Sequence, residues 1–153
     1  MKLNHIYSHN NGDTEWRKRG LYDWVTGLFD LPAIRVASRC TSDIRQHVSK
    51  EFQAQTWAID VKIDQELNLT TFAMKDDLAF QLQTGNISRA PYDLLKLQYL
   101  HQSKKIRAAA LAVPTKAAAA KIGSNIANAE RISKELAVFD RVITVPILLI
   151  AFD

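Results

Sequence analysis

The sequence contains little cysteine, glycine or proline, and it has no long apolar run. Cys40 is the only cysteine among 153 residues, so neither an internal disulfide nor a thiolate zinc site can form. This is typical of a protein from a reducing compartment, and we expect it to be cytoplasmic. The longest apolar run, residues 142–152, is too short to span a bilayer and contains Pro146. The sequence therefore predicts a soluble protein without a membrane partner.

The sequence motifs of several enzyme classes are absent as well. There is no glycine-rich phosphate loop, no nucleophile elbow and no paired-cysteine motif. The four histidines are scattered and lack metal-ligand spacing, and the polar N-terminal segment does not resemble a secretory signal. The net charge of +4 permits a polyanionic partner, although basic proteins that bind no nucleic acid are common.

The composition, 47% hydrophobic and 24% charged, predicts one compact domain over residues 1–153. Apolar periodicity predicts two helices, a strand, a hairpin, a helix, a strand, two helices and a final strand. The first helix begins at Asp13 or Thr14 and ends before Pro32, and the final strand covers residues 141–152. We therefore predict a mixed α/β fold with a central sheet of about five strands flanked by helices.

Polar side chains interrupt two of the predicted strands. In residues 57–64, the alternation places Asp60 and Asp64 on one face, opposite Trp57, Ile59, Val61 and Ile63. In the hairpin, Gln81 and Gln83 share one face of an otherwise apolar strand. Carboxylates brought together by two strands can hold Mg²⁺, which can polarise a phosphodiester and activate water. The residues alone leave open a polar sheet edge without catalytic function.

Four segments carry a resemblance to a known family. They read "FQLQTGNISRAPYDLLKLQYL", "AVPTK", "KIGSNIANAERISKEL" and "ITVPILLIAF", and they extend in order from about Leu78 to Phe152. Together they resemble the BamHI and BglII type of restriction endonuclease, a branch of the PD-(D/E)xK nuclease superfamily. The resemblance implies a restriction-endonuclease-like fold, a homodimer that grips double-stranded DNA, and catalysis with Mg²⁺.

The resemblance also implies where the catalytic residues lie. The family's catalytic strand motif, Glu-x-Glu, Glu-x-Gln or Glu-x-Lys, falls on Gln81 to Gln83, so Gln81 stands in place of a carboxylate. A short-spaced family pattern would put the preceding acid near Phe72, whereas a longer spacing points to Asp64, with Asp60 as a substitute. We thus predict Asp64, Gln81 and Gln83 as the catalytic set, and Asp64 and Asp60 as metal ligands.

Three functional hypotheses follow from these residues. The first is a DNA-binding protein that contacts the backbone through Asn86, Arg89 and Lys96 and whose nuclease site is weak or inactive, because an amide oxygen carries no charge for Mg²⁺. The second is an active Mg²⁺-dependent endonuclease that uses Gln81 as it stands. The third is a protein-interaction module that kept the fold and lost DNA binding.

Overall fold

The computed structural model describes residues 1–153 and contains six strands. The elements are, in chain order, β1 (Leu3–His9), α1 (Asp13–Lys18), α2 (Tyr22–Gly27), α3 (Thr41–Ala54), β2 (Ala58–Asp64), β3 (Leu69–Lys75), β4 (Leu78–Leu82), a 3-10 turn (Ile87–Arg89), α4 (Ala90–Gln102), β5 (Ala108–Pro114), α5 (Lys116–Ile122), α6 (Ala129–Val138) and β6 (Ile147–Phe152).

The six strands form one mixed sheet in the order β1-β6-β5-β4-β3-β2. Strands β4, β5 and β6 are parallel, whereas β1 pairs antiparallel with β6 and β2, β3 and β4 pair antiparallel with one another. The predicted mixed α/β fold, including the hairpin of β3 and β4, is confirmed. The sheet has one strand more than the five expected.

The additional strand is β1, at one edge of the sheet. Its sequence, "LNHIYSH", is largely polar and shows no clear alternation, so the pattern gave no indication of a strand. The strand forms because β6 offers its backbone groups along one edge, from the pair Leu3 and Phe152 to the pair His9 and Ile147. Tertiary pairing, and not local preference, decides this element.

The first predicted helix is in fact two short helices, α1 and α2. They are separated at Gly20, whose φ of 65° lies in the left-handed region and cannot continue a right-handed helix. Apolar residues of both helices still reach the same core, which is why a single helical pattern described them. The prediction of one continuous helix was wrong at this turn.

Two hydrophobic clusters cover the two faces of the sheet. Strands β5 and β6 contribute alternate residues to each cluster, for example Ala110 to one face and Leu111 to the other. Helices α1, α2, α3 and α5 pack on the first face, and α4 and α6 pack on the second. Burial on both faces explains why these strands are continuous apolar runs in the sequence.

The predicted alternation in β2 does not hold along the whole strand. Ile59 packs against the first cluster, whereas Ile63, four residues later, packs against the second. Asp60 lies between them with a φ of 51°, outside the extended region, and so interrupts the pleat. The sequence pattern assumes an unbroken pleat and therefore placed both isoleucines on one face.

The last strand is shorter than predicted. It begins at Ile147, directly after Pro146, and Val142 is exposed before it. Because proline has no N–H to donate, it marks the point where regular pairing can begin. No helix of the structure has the length and apolar character needed to cross a membrane.

Candidate nucleic-acid interface

A polar cavity of about 620 Å³ opens at the end of the sheet where β4 leads into α4. Its walls are the start of β3, the end of β4 with the residues that follow, the first turns of α4, and Arg45 of α3. Only three of its 13 lining residues are hydrophobic. The cavity is therefore suited to a polar or charged ligand and not to an apolar one.

One carboxylate joins the two glutamines inside this cavity. Gln81 Nε2 donates to Asp93 Oδ1 at 2.9 Å, and Gln83 Nε2 donates to Asp93 Oδ2 at 2.5 Å. Asp93 lies in the first turn of α4 and is buried, with 5% of its surface exposed. The carboxylate thus holds the end of β4 against the start of α4.

The amide oxygens of both glutamines are engaged by backbone groups. Gln81 Oε1 accepts from the N–H of Phe72 at 3.0 Å, and Gln83 Oε1 accepts from the N–H of Gly85 at 2.7 Å. Backbone N–H groups can only donate and a carboxylate can only accept, so the orientation of both amides is fixed. Both amide oxygens therefore already accept a backbone hydrogen bond, and neither carries the negative charge that Mg²⁺ prefers.

Lys96 completes the network around Asp93. Its ammonium lies 2.7 Å from Asp93 Oδ1 and donates to the backbone carbonyl of Thr70 at 2.9 Å. Residues 93 and 96 are one helical turn apart, so both side chains lie on the same face of α4. The ammonium therefore compensates the buried charge of Asp93 and connects α4 to β3.

Two arginines supply positive charge at the more open part of the cavity. Arg45 pairs with Asp60 at 2.6 Å, and its guanidinium lies 4.8 Å from the centre of the Phe72 ring. Arg89 is exposed and has no acidic partner within ion-pair distance. Guanidinium groups of this kind bind phosphate oxygens well, because their donors form a planar fork.

The structure brings most of the predicted site residues together. Gln81, Gln83, Arg89 and Lys96 all line the cavity. Asn86 lies beside it, where its Oδ1 accepts from the N–H of Ser88 at 2.9 Å and caps the 3-10 turn. Their roles in catalysis or DNA binding stay predictions.

The two aspartates of β2 do not line this cavity. Asp60 is held by Arg45, and Asp64 Oδ1 accepts from the N–H of Leu67 at 2.7 Å in the turn before β3. Strand β3 lies between β2 and β4, which separates these strands by about 9–10 Å at ordinary strand spacing. Both aspartates therefore have structural partners outside the glutamine network.

Asp93 is the residue that sequence reasoning missed. Its position near a helix start predicted only a favourable interaction with the helix dipole. The available signal was an acid on the same helical face as Lys96, on a helix that directly follows the Gln81 strand. Its burial depends on how α4 packs against the sheet, and local pattern does not reveal this.

The donor set of the cavity does not fit Mg²⁺. This ion requires oxygen ligands and negative charge, whereas the only carboxylate in the lining is already bonded to two amides and an ammonium. Across residues 1–153, no group of three or more His, Cys, Asp or Glu side chains is arranged to hold a metal ion. The resemblance noted in the sequence implies Mg²⁺, and the residues of this cavity do not fit that ion.

Comparison with known proteins identifies a matching family model and two solved structures of similar fold. A family model described as restriction endonuclease BglII/BglIII matches residues 5–152. Restriction endonuclease BglII complexed with a DNA 16-mer superposes with a TM-score of 0.80 at 16% identity, over 100% of this chain and 78% of that one. Free BglII gives a TM-score of 0.72 at 15% identity, over 100% and 80% of the two chains. No curated protein sequence matches the chain.

Proposed function

Because this chain belongs to the BglII/BglIII restriction endonuclease family, we propose that it binds double-stranded DNA and has a weak or inactive nuclease site. The fold is that of a restriction endonuclease, and a structural relative was crystallised with DNA. The observation that carries the proposal is the polar cavity, where Arg45, Arg89 and Lys96 share the lining with a carboxylate whose two oxygens both accept hydrogen bonds.

The charge of the cavity supports binding of the DNA backbone. Three cationic side chains line it; Asp93 and Asp60 pair with Lys96 and Arg45, and Arg89 is unpaired, so the net charge around the cavity is positive and attracts phosphate. Such contacts position a protein on DNA without reading sequence. Asn86 and Arg89 lie at the start of α4, where a duplex phosphate can reach them.

The same geometry supports loss of catalysis. Gln81 lacks the negative charge expected at its position, and position 72, where a short-spaced acid would stand, is a phenylalanine buried in the core. Without a metal-binding carboxylate, no group of the cavity lowers the pKa of an attacking water. The assignment of Asp64 and Asp60 as metal ligands remains a prediction.

A nuclease assay tests this proposal directly. We expect no cleavage of varied duplexes above background with either Mg²⁺ or Mn²⁺, because the only carboxylate of the cavity is already paired with Lys96. The products are measured by gel electrophoresis of end-labelled DNA. Robust cleavage that Asp64→Ala abolishes would contradict the proposal and establish the second hypothesis, an active endonuclease.

DNA binding is tested by the salt dependence of affinity for random duplex. We expect affinity to fall steeply with salt, and Arg45→Gln or Arg89→Gln to reduce the slope of log K against log salt by about 0.9 for each lost phosphate contact. Fluorescence anisotropy measures both quantities. Lys50→Gln, on an exposed position of α3 outside the cavity, is the matched control. No binding even at low salt would favour the protein-interaction hypothesis.

We also propose that the protein acts as a homodimer through an α4–α6 apolar surface. This surface comprises Leu95 of α4 and Phe139 and Val142 after α6, all exposed, around a groove of about 330 Å³. Tyr92 and Tyr99 extend it along the exposed face of α4. Exposed apolar patches of this kind mark interaction sites, and a two-fold dimer joins one patch to its own copy.

The position of α4 links this surface to the cavity. Asp93 and Lys96 face the cavity from one side of the helix, whereas Leu95 and Tyr99 are exposed on another. Dimerisation through α4 would therefore hold two cavities at a fixed separation, as gripping a duplex requires.

A cytoplasmic setting agrees with the free, buried thiol of Cys40.

Substitution within the α4–α6 apolar surface should separate the subunits. We expect Phe139→Glu to raise the dimer dissociation constant about 100-fold, because a charge replaces a central apolar contact. Sedimentation equilibrium measures the change. Leu67→Glu, at an exposed apolar residue in the β2–β3 turn, should leave the constant unchanged. A wild-type protein that is monomeric at all concentrations would refute this dimer.

A further inference from the structure

The Asp93–Lys96 pair differs from every other ion pair in the structure by its burial. Its side chains are 6% and 12% exposed, whereas both partners of each other pair are at least 21% exposed. A buried ion pair is costly unless further hydrogen bonds satisfy both partners. Gln81 and Gln83 satisfy Asp93, and the carbonyl of Thr70 satisfies Lys96.

The ammonium of Lys96 occupies a place that suits a cation. It lies between a carboxylate oxygen of α4 and a carbonyl oxygen of β3, at 2.7 Å and 2.9 Å. Oxygen ligands of this kind are those that Mg²⁺ prefers. A divalent ion at this position would have to displace the ammonium or accept its repulsion at short range.

The rest of the cavity also disfavours a second cation. The amide oxygens of Gln81 and Gln83 face backbone N–H groups, and Arg45 and Arg89 add positive charge. Lys96 has three N–H donors, of which the two contacts named above use two. One donor of a cavity-lining ammonium is therefore available to an anion.

We propose that the ammonium of Lys96 is the built-in cation of this cavity, in place of the Mg²⁺ that the family implies, so that phosphate binds there without a divalent metal. The proposal rests on the proposed function, since the phosphate is that of bound DNA. It extends that function by assigning the compensation of the phosphate charge to a residue of the chain itself. Lys96 acts as a positioning and binding residue, with Asp93 as its counterion.

Two measurements on the wild-type protein test the proposal. Calorimetric titration of DNA-free protein with Mn²⁺ should show no binding at millimolar concentration. The affinity for random duplex should be equal within about twofold in EDTA and in Mg²⁺ at matched ionic strength. Mn²⁺ binding that Asp93→Asn abolishes, or an affinity that Mg²⁺ raises about tenfold or more, would overturn it.

A variant without the Lys96 ammonium should gain the Mn²⁺ binding that the wild type lacks. Lys96→Met keeps most of the apolar stem but leaves Asp93 without its counterion, so Mn²⁺ should now bind and raise the melting temperature by several degrees. Lys50→Gln should respond to Mn²⁺ as the wild type does. A folded Lys96→Met protein that is indifferent to Mn²⁺ would also overturn the proposal. If this variant does not fold, the two wild-type measurements still test whether Lys96 replaces the metal ion.

The outcomes separate this proposal from the proposed function. If the wild type binds no DNA at low salt, DNA binding is refuted, and the Mn²⁺ titration of free protein alone decides the role of Lys96. If DNA binds but requires Mg²⁺, DNA binding stands and the built-in cation is refuted.

Discussion

Replacing Asp93 by alanine should lower the free energy of unfolding by about 3–5 kcal/mol, because the change leaves a largely buried ammonium without its counterion. The amide N–H groups of Gln81 and Gln83 lose their acceptor at the same time. For a chain of this length such a loss corresponds to a melting temperature lower by about 10 °C. Urea denaturation, monitored by circular dichroism, measures the change in the free energy of unfolding.

The matched control is Asp43→Ala. Asp43 also lies in the first turn of a helix, α3, but it is exposed, so the change should cost no more than about 0.3–1 kcal/mol from the helix dipole. The double variant Asp93→Asn/Lys96→Gln removes both charges and should recover part of the loss. Equal effects of Asp93→Ala and Asp43→Ala would show that the buried network does not stabilise the fold.

Replacing Gln81 by glutamate should destabilise the protein by about 3 kcal/mol at neutral pH, because it places a second carboxylate against Asp93. Gln81 donates to Asp93 over 2.9 Å, and a glutamate at this position would repel it. Mn²⁺ should restore much of the lost stability by bridging the two carboxylates. Thermal melts with and without Mn²⁺ measure both effects.

The same variant tests the catalytic scaffold. We expect no Mg²⁺-dependent cleavage from Gln81→Glu alone, because Phe72 remains buried and Asp60 and Asp64 lie outside the cavity. Gln53→Glu, at an exposed position of α3, controls for the added charge and should neither destabilise the protein nor respond to Mn²⁺. Strong cleavage by Gln81→Glu would show that a single lost carboxylate inactivated the site.

The geometry of the cavity gives a physical reason for the proposed weak or absent nuclease activity. A catalytic metal site needs unneutralised carboxylates. The network around Asp93 instead uses its charge to hold α4 against β4, with Lys96 as counterion. The charge of Asp93 is therefore used to hold two elements of the fold together.

The position of a basic residue along the chain decides whether its side chain can reach the cavity. A second basic group, Lys104, Lys105 and Arg107, follows the C-terminal end of α4, about 20 Å along the helix from the cavity. Arg107 there pairs with Asp77 in the β3–β4 turn at 3.0 Å. Asp77 thus has a structural partner in Arg107, and these cations lie at the end of α4 that is opposite the cavity.

Much of the fold could be predicted from the sequence, because it depends on local patterns. The continuous apolar runs of β5 and β6 predict strands covered on both faces. Thr115 predicts the start of α5, and its hydroxyl oxygen does accept the hydrogen bond from the N–H of Ala118. The glutamine pair and the segments after it were sufficient to recognise the family. These features are properties of neighbouring residues, so the chain alone determines them.

Tertiary structure decided the remaining features, since they depend on contacts between distant residues. Strand β1 exists because β6 pairs with it, and the pleat of β2 is broken at Asp60. Asp93 becomes the centre of the cavity only because α4 packs its first turn against the end of β4. The sequence determined that an uncharged glutamine stands at position 81, and the packing of α4 decided which charges surround that position.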